Sequence, residues 1–176
     1  MSGDWLDPNI AQPLSAPLAS MPGSRSAELL RQVVDQFDVE HAERYRVRDI
    51  DGNGKRDTFC NIFASDVTRA LFAEVPHQWQ GAWQNVHAMA DWIRAGLGKW
   101  KACAPWLAQV AADQGHPALA IYDPALTSKG HIAVLVPSEG RPGVWIAQAG
   151  ARNYRRAPLL AGFGVYASET QFFSHE

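Results

Sequence analysis

Disulfide density, an excess of charge of one sign and long apolar runs are all missing from this chain of 176 residues. Its two cysteines, Cys60 and Cys103, allow at most one disulfide, which excludes a cross-linked scaffold. Lys and Arg number 16 against 18 Asp and Glu, leaving a formal charge of −2. The densest basic stretch holds Arg152, Arg155 and Arg156 and reads as a solvated loop, so no nucleic-acid partner is expected. No apolar run reaches the length of a transmembrane helix, so no membrane span is expected. The first residues lack a basic region followed by an apolar core, so synthesis in the cytoplasm without a Sec signal is the expectation. Action elsewhere then requires a dedicated machine or cell lysis. No internal repeat is visible, which removes the solenoid architectures.

What the chain does have is a large apolar share, 47%, and seven tryptophans. That suits one domain with a real core. Residues 1–24 differ from the rest: Pro8, Pro13, Pro17 and Pro22 alternate with Ser, Ala and Gly, the composition of a flexible arm, mobile or loosely docked, that Trp5 and Leu6 could anchor. The folded domain is expected over 25–176. Ser26 followed by Glu28 marks a helix start, and Leu29, Leu30, Val33, Val34 and Phe37 continue at helical spacing. Further helices are predicted from Cys60 through Leu71, from Trp83 to Arg94 and from Pro105 to Ala112. The period then changes. Ala118 to Tyr122, His131 to Val136 and Val144 to Gln148 read as strands, with edge strands from Phe163 to Tyr166 and Thr170 to Phe173. Helices first and strands later predict an α+β domain, its helices packed on a small antiparallel sheet.

The stretch Asp57-Thr58-Phe59-Cys60-Asn61-Ile62-Phe63 puts a cysteine in a first helical turn. There the positive end of the macrodipole favours thiolate over thiol. Gly130-His131-Ile132-Ala133-Val134 opens a strand with a histidine that can take the thiol proton. Cys103 reads as packing. Asp66, six residues past Cys60, falls on another helix face and reads as a structural acid.

This order, Cys on a helix and then Gly-His on a strand, resembles the NlpC/P60 and CHAP group of papain-like peptidoglycan amidases and endopeptidases, over roughly residues 44–171. The resemblance implies Cys60 as nucleophile and His131 as base. It places the polar residue that orients the imidazole on the next strand, where Gln148 falls in Trp145-Ile146-Ala147-Gln148, with Asn153 in reserve. It also implies an oxyanion or orienting role for Tyr45, upstream of the nucleophile.

Asp49-Ile50-Asp51-Gly52-Asn53-Gly54-Lys55-Arg56-Asp57 matches the opening of an EF-hand-type calcium loop. Its ligands would be Asp49, Asp51, Asn53, the Lys55 carbonyl and Asp57, with Gly54 at the sharp turn. The twelfth position, normally a bidentate Glu, is Cys60 itself, so the loop resembles the shortened calcium loops of dockerin-like modules. The competing reading is a tight Asn-Gly turn capping the cysteine helix.

The expectation is a cysteine hydrolase acting on peptide stems of bacterial peptidoglycan. It would be a delivered antibacterial effector or a phage lysin, with an immunity protein or secretion-machine carrier as possible partner and Ca2+ as possible structural ion. Two other classes fit the same residues: a papain-like deamidase or transglutaminase-type toxin acting on a protein glutamine, and a non-catalytic calcium-binding module.

Overall fold

The computed structural model describes residues 14, 16–50, 52–124 and 130–176. Trp5, Leu6 and Asp51 lie outside the described residues. The chain is an α+β domain whose six-stranded sheet is antiparallel at every pairing.

The first helix, α1 (Ala27–Asp35), starts where its cap dictates: Ser26 is extended and its Oγ accepts the Leu29 N–H at 3.1 Å. Leu30, Val33 and Val34 form its buried stripe. A 3-10 turn follows (Glu43–Tyr45), then α2 (Cys60–Ala70). Every residue of α2 except Arg69 is buried, so it is the central helix, surrounded on all sides.

A small hairpin, β1 (Gln78–Trp79) and β2 (Ala82–Trp83), comes next. Gln80 and Gly81 both take positive φ, 50° and 77°, the backbone of a two-residue hairpin turn. This turn delays the next helix. Helical spacing pointed to a start at Trp83, but α3 runs Val86–Arg94, with Asn85 Oδ1 accepting the Ala88 N–H at 2.9 Å. Pro105 opens α4 (Pro105–Asp113) at the position where a missing N–H costs least.

The main sheet consists of β3 (Trp100–Cys103), β4 (Ala118–Tyr122), β5 (His131–Leu135), β6 (Trp145–Ala149), β7 (Asn153–Pro158) and β8 (Gln171–His175). Its order is β3-β8-β4-β5-β6-β7. The central strands β4, β5 and β6 are buried almost throughout, which is why they read as continuous apolar runs. The helix α2 packs on β5 and β6, and α4 on β4, β5 and β8.

Two expectations change. The 163–166 segment is not a strand: α5 (Leu159–Phe163) and a 3-10 turn (Gly164–Glu169) occupy it. The last strand is not an edge, since β8 lies between β3 and β4. The true edges, β3 and β7, have mixed burial and carry no clean alternation for sequence reading to find. The described part of the N-terminal arm, 16–24, is docked. Leu18 exchanges two 2.9 Å bonds with the Gln36 amide, and the Ser20 N–H meets the Ala70 carbonyl at 2.9 Å.

Candidate active site

Cys60 stands in the first turn of α2, directly over β5. Leu135 and Ile146 are cross-strand partners and so share a sheet face. Stepping by two along each strand carries that face to His131 on β5 and Gln148 on β6. Register alone therefore brings these two side chains together. His131 Nε2 lies 2.7 Å from Gln148 Oε1. The Gln148 amide nitrogen donates to the Arg152 carbonyl at 3.0 Å, which turns its oxygen toward the ring. An amide oxygen only accepts, so Nε2 carries the hydrogen and Nδ1 is left for the thiol.

The Cys60 thiol is hydrogen-bonded to the His131 imidazole. Burial pushes the thiol pKa up. The His131 hydrogen bond and charge outweigh it, together with the Ile132 and Asn61 backbone N–H groups, and the thiol lies below its ordinary range. Burial pushes His131 down, but its bonds to Cys60 and Gln148 leave it raised. The two shifts agree: thiolate and imidazolium stabilise each other. The N-cap residue Phe59 offers no side-chain bond, so no side chain caps the first-turn N–H groups beside the sulfur.

Close packing holds the trio. A Cβ on Gly162 would overlap Gln148 Oε1, and one on Gly150 would lie 3.0 Å from Gln148 Nε2 and 3.2 Å from His131 Cε1. The Phe163 ring lies 4.8 Å from the imidazole, tilted by 60°. The site opens into a cavity of about 950 Å³, walled by Cys60, Asn61, Trp83, His131, Gln148 and Tyr166 among others.

Two expected site residues are elsewhere. Tyr45 is fully buried and donates its hydroxyl to Asp66 Oδ2 at 2.8 Å. Burial and the Asp66 charge push its phenol far above the usual range. Arg44 completes this cluster with bonds of 2.7 and 3.0 Å to Asp66, so Tyr45 and Asp66 brace α2 from behind. Asn153 donates to the Val39 and Tyr45 carbonyls at 2.8 and 2.9 Å, tying β7 to the 3-10 turn. Gln148, not Asn153, meets the imidazole.

In the loop before Cys60, Asp49 Oδ1 accepts the Gly52 and Asn53 N–H groups at 2.8 and 3.2 Å, and Oδ2 accepts that of Gly54 at 2.7 Å. Asn53 Oδ1 accepts the Lys55 N–H at 2.8 Å, and Asp57 Oδ2 that of Ile50 at 3.1 Å. Arg48 and Asp57 close the loop as an isolated antiparallel bridge. The side-chain oxygens thus hold the loop through backbone donors. Among the described residues, no group of three His, Cys, Asp or Glu is placed to hold a metal ion.

Sequence reasoning missed the α5 contribution, because Phe163 fell in a segment read as strand and Gly162 was assigned to no element. It also missed His87, whose Nδ1 is bonded to Asp123 at the cavity wall, and the stacked Tyr122–Tyr166 pair, with centroids 4.4 Å apart. Cys103 is half-buried on β3, outside the cavity, and burial raises its pKa. Trp79 is exposed and packs on Trp92, outside the cavity lining. No helix of the described residues is long and apolar enough to cross a membrane. No family model matches this chain, and no curated protein matches it in sequence.

Proposed function

We propose that the chain is a papain-like cysteine amidase that cleaves amide bonds in the peptide stems of bacterial peptidoglycan. The observation that carries this reading is the chain of contacts Cys60–His131–Gln148, opened to a cavity and with its thiol and imidazole shifted toward the ion pair. The Cys60 thiolate attacks the amide carbon, forming a C–S bond as the carbonyl π electrons move to oxygen. First-turn N–H groups of α2 supply positive dipole to that oxygen. The His131 imidazolium gives its proton to the leaving amine as the C–N bond breaks. Neutral His131 then takes a proton from water, which attacks the thioester and releases the acid and the thiolate. Gln148 holds the ring in the required tautomer throughout.

Peptidoglycan is preferred as substrate because it carries forward the resemblance of the Cys60 and Gly130-His131 motifs. The cavity suits an extended peptide, being near the upper end of ordinary ligand sites. Delivery by a secretion machine, or release as a lysin, would bring the enzyme to the periplasm or wall, and a producing cell would need an immunity protein. Calcium at Asp49, Asp51, Asn53, Lys55 and Asp57 belongs to the same proposal, as an ordering ion for the loop ahead of α2.

Digestion of purified sacculi tests the reading. Wild type should release stem-peptide fragments, identified by mass spectrometry, and Cys60→Ala should release none. Intact sacculi with wild type, or equal digestion by both, overturns it.

A further inference from the structure

Charge at the cavity identifies the substrate more narrowly. Almost every arginine in the chain has a side-chain partner. Arg44 bonds Asp66, Arg94 bonds Asp123, Arg155 faces Asp35 and Arg156 bonds Glu139. The remainder have carboxylate, carbonyl, histidine or ring contacts. Only Arg56 and Arg152 have none among the described residues, and both line the cavity. They reach it from two separate segments. Arg56 lies four residues before Cys60, and Arg152 lies in the turn between β6 and β7 whose carbonyl holds Gln148.

The described wall contains one acid, Asp57, and its Oδ2 already accepts the Ile50 N–H. The uncapped N-terminus of α2 adds further positive potential. In a protein of net charge −2, the described cavity wall therefore carries two arginines against one carboxylate, an excess of positive charge.

We propose that Arg56 and Arg152 form a carboxylate-recognition subsite, so that the cavity selects acidic peptides over neutral ones. This rests on the amidase reading and sharpens it: a stem peptide bears several carboxylates, whereas a glutamine side chain on a folded protein bears none. Both arginines are exposed, so each contact contributes modestly and the pair is salt-sensitive.

The test is binding to the Cys60→Ala protein, which separates recognition from turnover. The probes are a synthetic stem tetrapeptide with free carboxylates and the same peptide amidated. The acidic peptide should bind about tenfold more tightly. Arg56→Gln/Arg152→Gln should erase most of that preference, and in the wild-type background raise KM with kcat nearly unchanged. Equal binding of both peptides, or a preference untouched by the double substitution, overturns the subsite. If the preference holds while wild type digests no sacculi, the subsite stands and the amidase reading falls.

Discussion

At the scale of the residue, the site depends on three side chains with unequal duties. Cys60→Ala and His131→Ala should each abolish turnover, because each removes a partner in proton or acyl transfer. Gln148→Ala should lower kcat less, on the order of tenfold to a hundredfold, since it fixes a tautomer without exchanging protons. The pH profile of kcat/KM follows from the signs of the shifts. On the proposed function, activity should be lost at low pH as the thiolate protonates, below the ordinary thiol range because the Cys60 pKa is lowered. It should be lost at high pH as the imidazolium deprotonates, above the ordinary histidine range because that pKa is raised. The expected profile is a bell, and a single sigmoid rising through the ordinary cysteine range would contradict the ion pair. Cys60 and His131 were legible from sequence because helix start and strand start are local signals. Gln148 was legible only through strand register and the family pattern. Tyr45 was misassigned because nothing local to it reveals that its hydroxyl turns away, onto Asp66.

Whole elements carry the next layer. The helix α2 presents Cys60 at one end and is braced by Arg44 and Tyr45 on Asp66 behind it. Removing a buried carboxylate leaves buried donors unpaired, so Asp66→Ala should cost about 3 kcal/mol in urea unfolding, with catalysis falling only as folded protein is lost. In α5, Gly162→Ala should lower both stability and kcat, because its Cβ takes the space of the Gln148 oxygen and lies 2.6 Å from Cδ1 of the buried Ile146. The loop before α2 offers a third test. If calcium orders it, adding Ca2+ to chelator-treated protein raises Tm by mass action, and Asp49→Ala removes the increment. An unchanged melting curve leaves the hydrogen-bonded turn as the whole explanation. The helices α1 and α4 and the strands β4 to β6 were readable because a cap, a proline or a continuous apolar run marks each. The start of α3 was hidden by the Gln80–Gly81 turn, and α5 by a short apolar segment whose length suits either a strand or a single helical turn.

In the whole molecule, topology does what no single motif can. Cys60, His131 and Gln148 are far apart in sequence, and antiparallel pairing of β5 with β6 beneath α2 places all three at one cavity. The α+β class and the antiparallel sheet were legible from the change of hydrophobic period along the chain. Strand order was not, because sequence alternation says which strands exist and not which are neighbours. The composition of 16–24 left mobile and loosely docked states open, and its hydrogen bonds to Gln36 and Ala70 select the docked one.

Thiol reactivity tests the central claim, an activated Cys60 thiolate, most directly. Wild-type protein is treated briefly with iodoacetamide from about pH 5 to about pH 9, and Cys60 and Cys103 are quantified separately by mass spectrometry. Cys60 should be alkylated rapidly well below the ordinary thiol range, and His131→Ala should move its labelling curve upward toward that of Cys103. Slow labelling of both thiols along one ordinary curve, unaffected by His131→Ala, would contradict it.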